Sequence, residues 1–150
     1  MELRQARLTD GAVEPLLEGL AHEYQRLYGG RDEMTTTRPE EFDAPGGGFV
    51  VLADGDRVIA GGGIRRWSAD TCEVKRMWTA PDRRREGHAM TILHALEELA
   101  RRLGYARVRL ETGPLQHEAL ALYARAGYAR IPVYGRYPSA HAFELVVGRE

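Results

Sequence analysis

Six consecutive residues, Arg84-Arg85-Glu86-Gly87-His88-Ala89, constrain the fold of this chain more than any other stretch. A β-rich run over 72–79 enters Ala80-Pro81-Asp82, then this Arg-x-x-Gly-x-Ala turn, and an apolar-periodic segment follows at once. Ala89, Ile92, Leu93, Leu96, Ala100 and Leu103 recur at helical spacing, and Gly104 stops them. The sequence therefore predicts strand, glycine turn and helix in immediate succession. Such a junction aims free backbone N–H groups and the positive end of a helix at one spot, which suits a phosphate. One glycine in a turn is a weak motif by itself. The rest of the chain decides what the junction serves.

At 150 residues the chain fits a single domain, 1–150, long enough to bury a core. Residues 3–8 read as a short strand, with Thr9-Asp10 as a helix-start signal. Val13, Leu16, Leu17, Leu20, Tyr24 and Leu27 mark an amphipathic helix that Gly29-Gly30 ends. The polar stretch 31–48, with Pro39, Pro45 and three consecutive glycines, reads as a mobile loop. Runs 49–53 and 57–64 are β-rich and joined by Asp54-Gly55-Asp56, a hairpin signal. Gly61-Gly62-Gly63 in the second run implies a bulge or a close backbone approach. Further on, 106–112 reads as a strand, 116–126 as a helix ended by Gly127, and 128–134 and 141–147 as two last strands. The order β-α-ββ(β)-α-β-α-β-β has no internal repeat and predicts an α/β domain with a mixed sheet.

Residues 116–123, Gln-His-Glu-Ala-Leu-Ala-Leu-Tyr, are followed by Ala126-Gly127-Tyr128. This pattern resembles the N-x-x-A-x-x-L-Y-x-x-x-G-F/Y signature of the GNAT acyl-CoA-dependent N-acetyltransferases. The glycine turn precedes it in the family's order and at a family-like separation, and the element order resembles that fold over nearly the whole chain. The resemblance implies a mixed six- to seven-stranded sheet flanked by helices, with splayed central strands. It also implies acetyl-CoA as co-substrate, its pyrophosphate on Arg84, Arg85, Glu86, Gly87, His88 and Ala89. The backbone of Met77, Trp78 and Thr79 would pair with the pantetheine arm, an N–H near Met77 would polarise the thioester carbonyl, and Gln116 would stand where the family often carries Asn. Two departures concern phosphate affinity: Arg85 stands where the family often has Gly, and acidic Glu86 where a basic or neutral residue is usual.

Acyl transfer to an amine needs a proton for the leaving thiolate and a route for the amine's proton. The resemblance makes Tyr123 the acid; a phenol of pKa near 10 is protonated at pH 7 and can donate to a thiolate of pKa near 8.5. For the base, Glu73 lies six residues before Thr79, where several relatives carry a glutamate; Glu111 is the reserve, and a water chain serves in many members. Beside Lys75, Glu73 can equally form a cross-strand charge pair. The stretch 31–48, with Tyr24 and Tyr28 before it, is the expected acceptor-side lid.

The remaining features narrow the function. Five histidines (His22, His88, His94, His117, His141) lack H-E-x-x-H or Cys/His spacing, so no metal is expected. Cys72, the one cysteine, excludes an internal disulfide and fits a cytoplasmic protein; it reads as a small buried hydrophobe rather than a ping-pong nucleophile. A net charge of -1 gives no drive toward nucleic acid or membrane, despite Arg83-Arg84-Arg85 and Arg101-Arg102. Arg65, Arg66, Lys75 and Arg76 read as a solvated sheet face or an anion site. The expected activity is ternary-complex transfer of acetyl to a primary amine of a small molecule. The alternatives are a catalytically silent acyl-CoA sensor and a protein N-terminal or lysine acetyltransferase. Homodimers are common in the family, and Tyr128, Tyr134 and Tyr137 near the last strands are candidate interface residues.

Overall fold

The computed structural model describes residues 1–29 and 38–148. Alternation along one hydrophobic run sets its layers. Phe49 and Val51 join one buried cluster, while Val50 and Leu52 join another, so this strand is covered on both faces. It is β2 (Gly48–Asp54), which pairs with β1 (Glu2–Ala6) and β3 (Arg57–Arg66). With β4 (Thr71–Thr79), β5 (Arg107–Thr112), β6 (Ala129–Ile131) and β7 (His141–Val146), these form one sheet ordered β1-β2-β3-β4-β5-β7-β6. Helix α1 (Glu14–Tyr28) buries Leu16 and Leu20 in the Phe49 cluster. Helix α2 (His88–Arg102) buries Ile92, Leu93, Leu96 and Ala100 in the Val50 cluster, which α3 (His117–Arg125) joins through Leu122 and Tyr123. The expected mixed sheet with flanking helices is present.

Only β4 and β5 run parallel, because α2 carries the chain across between them. They pair at Thr71↔Arg107, Cys72↔Val108 and Glu73↔Arg109 and then part. Beyond Glu73↔Arg109 β4 and β5 no longer pair with each other, while β5 continues to pair with β7 as far as Thr112. The splayed central strands are thus a wedge that opens toward the C-terminal ends of both.

The glycine triplet serves this geometry in both anticipated ways. A Cβ on Gly61 would lie 2.6 Å from Leu16, on Gly62 2.6 Å from Met77, and on Gly63 2.6 Å from the Phe42 ring. The sheet can therefore hold α1 and the Phe42 ring close to its surface only where β3 lacks side chains. The bulge itself is on the facing strand. Trp78 pairs with Gly61 and Lys75 with Gly63, so Arg76 and Met77 together oppose Gly62. Arg76 takes a φ of 64° to do so.

Several boundaries differ from the sequence expectation. The first strand ends at Ala6, and Asp10 accepts a hydrogen bond from the Arg7 N–H at 2.9 Å before a 3₁₀ turn, Gly11–Val13. The helix then starts at Glu14, with Pro15 in its first turn, where its missing N–H costs nothing. Within the expected mobile loop, residues 31–37 lie outside the described residues, while in 38–48 Phe42 and Gly47 are buried. Pro39–Phe42 is a 3₁₀ turn whose Phe42 is fully buried, edge-on to Phe49 at 6.0 Å. The strand expected at 128–134 shrinks to Ala129–Ile131, because Pro132 offers no N–H and those of Tyr134 and Gly135 go to Glu111. Tyr128 is buried, its hydroxyl donating to Glu97 at 2.9 Å, and so is unavailable to a dimer interface.

Gly63→Ala would drive a methyl between the rings of Phe42 and Phe49, each under 3 Å from the new Cβ. A loss of about 1–3 kcal/mol is expected from overpacking, measured as a lowered urea midpoint with an unchanged slope.

Candidate active site

The turn between β4 and α2 is built from backbone conformations that side chains resist. Pro81–Arg83 forms a 3₁₀ turn, Arg85 lies at φ 65°, and Gly87 occupies the helix N-cap at φ 87°. A left-handed conformation costs an L residue roughly 1–2 kcal/mol, which accounts for the glycine often found where Arg85 stands. No side chain caps the helix, and its first ladder bond runs from the Thr91 N–H to the Gly87 carbonyl. The amides of His88, Ala89 and Met90 thus precede the ladder and point out of the helix end.

The charged side chains here are held by neighbours. Glu86 is exposed and accepts from His88 Nε2 at 2.7 Å and Arg83 Nε at 3.1 Å. The His88 hydrogen bond, then that from Arg83, holds its carboxyl below the usual range. Its negative charge is therefore matched locally. Arg83 also meets Asp54 at 2.8 Å. Arg84 turns back toward α1, pairing with Glu23 at 3.0 Å and donating to the Thr79 carbonyl at 3.0 Å. The Arg84 guanidinium and the Thr79 carbonyl, both expected to face a carrier, are thus engaged with each other.

Where β4 and β5 part, a cavity of about 370 Å³ opens. β4 lines it with Val74, Lys75, Arg76 and Met77; the end of β5 and the following turn supply Glu111, Thr112, Gly113 and Pro114. α3 and its cap contribute Gln116, Ala119 and Tyr123, α1 contributes Tyr24 and Tyr28, and the segment before β7 contributes Tyr137, Ser139 and Ala140. Tyr123 is buried against Tyr128 and Phe143, with ring centroids 5.8 and 5.7 Å away. Burial first, then Tyr24, pushes its phenol above the ordinary value, so it is a proton donor and not a phenolate. Gln116 Oε1 accepts from the Gly113 N–H at 3.0 Å and Thr112 Oγ1 at 3.2 Å. It closes its own turn, and Tyr28 reaches it from α1 at 3.5 Å.

The two candidate base carboxylates sit differently. Glu73 is buried beside the cavity, not on its wall. Arg65 pairs with its Oε1 at 2.8 Å, and the Tyr134 hydroxyl donates to its Oε2 at 2.7 Å. Arg65 also meets Glu41 at 2.9 Å. Burial opposes the Arg65 charge, but Glu73 and Glu41 outweigh it and hold the guanidinium above its usual value. The basic cluster expected on this face is to that extent an ion-pair network. Glu111 lines the cavity, and its Oε2 accepts the N–H groups of Tyr134 and Gly135, each at 2.9 Å. One residue, Tyr134, thus ties together both carboxylates. Sequence reasoning missed that role, because the partners are 61 and 23 positions away and no local pattern links them.

Cys72 is fully buried in the sheet and its thiol is pushed up to about 12 by burial, which leaves no thiolate for a ping-pong route. Among the described residues no three His, Cys, Asp or Glu side chains gather as a metal site, and no helix is long and apolar enough to cross a membrane.

The model of the acetyltransferase (GNAT) family matches residues 16–128. The chain is 37% identical over 143 residues to the IAA acetyltransferase of Azospirillum brasilense, covering 89% of this chain and 87% of that one. It is 33% identical over 93 residues to the uncharacterized N-acetyltransferase YjgM of Escherichia coli (strain K12), covering 60% of this chain and 56% of YjgM. The chain therefore matches little more than half the length of that relative. The fold is shared with the PaiA N-acetyltransferase of Thermoplasma acidophilum, solved in complex with coenzyme A. The TM-score is 0.72 at 15% identity, over 97% of this chain and 99% of that one.

Burial raises the phenols of Tyr123, Tyr128 and Tyr134, the last two helped by Glu97 and Glu73. Unfolded, these groups release their protons near pH 10, while the folded protein keeps them. The unfolded state then binds fewer protons, so stability falls as pH rises past about 10, by up to about 1.4 kcal/mol per pH unit for each phenol. Urea unfolding at pH 9 and pH 11 measures this, and Tyr134→Phe should make the decline shallower.

Proposed function

This chain belongs to the acetyltransferase (GNAT) family, and we propose that it transfers acetyl from acetyl-CoA to the primary amine of a small molecule by direct attack in a ternary complex. The observation that carries this reading is Tyr123, buried and protonated on the wall of the cavity between two separating strands. The residues present fit the carrier. The uncapped start of α2, with Gly87, His88 and Ala89, offers amides for a pyrophosphate. The unpaired edge of β4 over Met77 and Trp78 offers backbone groups for an extended amide-bearing arm, as a missing strand would take them. Acetyl-CoA, when bound, supplies the activated thioester. Against it the chain contributes a backbone donor near Met77 for the carbonyl oxygen and the Tyr123 hydroxyl for the departing sulfur.

For the amine's proton, the geometry favours Glu111 over Glu73. A base must reach the amine directly or through one water, and Glu111 faces the cavity whereas both Glu73 oxygens are taken by Arg65 and Tyr134. Glu73 serves instead as the buried anchor for Tyr134. A small acceptor is favoured over a protein one by the likeness to an IAA acetyltransferase and by a cavity of about 370 Å³ lined by five parts of the chain. The buried lone cysteine is consistent with a cytoplasmic setting.

Tyr123→Phe should lower kcat about 100-fold or more while the acetyl-CoA dissociation constant by calorimetry stays within a factor of about two. Gly87→Glu should abolish that binding altogether. Retention of full activity by Tyr123→Phe would remove the tyrosine from the chemistry. Glu111→Gln should lower kcat/KM for the amine by at least about 100-fold and flatten the acidic limb of the pH–rate profile. An unchanged profile would hand the proton to water.

A further inference from the structure

We infer that the acceptor is a small monoamine carrying an aromatic ring or similarly flat apolar body, and not a polyamine or aminoglycoside; this rests on the acetyltransferase reading above. The cavity wall beyond the carrier's side is aromatic. Tyr24 and Tyr28 stand on α1 with ring centroids 6.4 Å apart, and Tyr137 approaches from the segment before β7. Each is half-buried, with a ring edge or face available to a guest. Aromatic rings hold flat apolar bodies by offset or edge contacts and attract an ammonium over their faces.

The wall is also held in place. The Tyr28 hydroxyl meets Gln116 at 3.5 Å, tying α1 to the cap of α3. The segment bearing Tyr137 is fastened by the Tyr134 and Gly135 N–H groups on Glu111 and the Tyr134 hydroxyl on Glu73. Trp67 packs against Tyr134 at 4.8 Å, and the Arg109 guanidinium covers the Tyr134 ring at 4.5 Å. A fixed aromatic wall selects shape at low entropic cost.

Charge points the same way. Among the described lining residues Glu111 is the one carboxylate, while the Arg76 guanidinium lies 5.9 Å over the Phe42 ring. A single ammonium finds its counter-charge at Glu111. A second ammonium would find no second carboxylate on the described wall, so a buried charge would stay uncompensated.

The test compares 2-phenylethylamine, hexylamine, spermidine and kanamycin as acceptors, monitoring thiol release from acetyl-CoA, after calorimetry has established that acetyl-CoA binds. The expected result is a kcat/KM for 2-phenylethylamine about tenfold above that for hexylamine and further above the polycations. Tyr137→Ala and Tyr24→Leu should each raise the KM for the aromatic amine about tenfold, leave the KM for acetyl-CoA unchanged, and leave hexylamine little affected. Acetyl-CoA binding with a preference for spermidine or kanamycin, or equal loss for both monoamines in the variants, would overturn the acceptor class alone. Absence of acetyl-CoA binding would overturn the acetyltransferase reading, and this inference with it.

Discussion

The parting of β4 from β5 is the constraint on which the site depends. A parallel pair in the middle of a sheet normally satisfies both backbone edges, and leaving one edge open inside a domain exposes polar groups that must find other partners. Here the pair persists for three residues and then opens. Two features maintain the opening. On the β4 side, the bulge at Arg76 and Met77 opposite Gly62 bends the strand. On the β5 side, the strand follows β7 through six paired positions, from Arg107↔Val146 to Thr112↔His141. A backbone edge left open in this way is a binding surface by construction, and every proposed role of Met77, Tyr123 and Glu111 follows from facing it.

A second system of contacts ties the strands together where β4 and β5 still pair. Glu41, Arg65, Glu73, Tyr134, Arg109 and Glu144 form a continuous chain of contacts across β3, β4, β5 and β7. Buried ion pairs of this kind contribute little net stability, because desolvation offsets most of the attraction, but they penalise alternative arrangements heavily. In this protein they hold Tyr134, in the segment that follows β6, against Glu73 and Arg109. The cost of a shortened β6 is offset by two N–H bonds to Glu111 and an aromatic contact with Trp67. The same network occupies both Glu73 oxygens, while Glu111 on β5 lines the cavity.

The turn before α2 shows how local strain and local charge are balanced. Arg85 occupies a conformation better suited to glycine, and Glu86 brings a negative charge to a helix start proposed to receive an anion. Neither departure disrupts the turn. The first is a modest conformational cost, and the second is matched by His88 and Arg83.

How much of this was legible beforehand follows from the range of the interactions involved. Glycines at 29, 87, 104 and 127 all take positive φ where helices start or stop, and hydrophobic spacing marked α1 and α2; both are read over a few residues. The Tyr123 pattern and the glycine turn were legible for the same reason, since each lies within one strand-to-helix or helix-to-turn unit. The burial of Phe42 in an otherwise polar stretch, the early end of β6 and the enclosure of Glu73 were not, because each is decided by partners on other elements, from Phe49 for Phe42 to Tyr134, 61 positions from Glu73. A glutamate on a strand beside a lysine looks the same in sequence whether it faces substrate or an arginine. The sequence alone determined the element order, the family likeness and the glycine turn at the start of α2, since these depend on short-range periodicity and backbone preference. Only the tertiary structure decided which carboxylate faces the cavity, because strand divergence and long-range ion pairing determine where a side chain ends up.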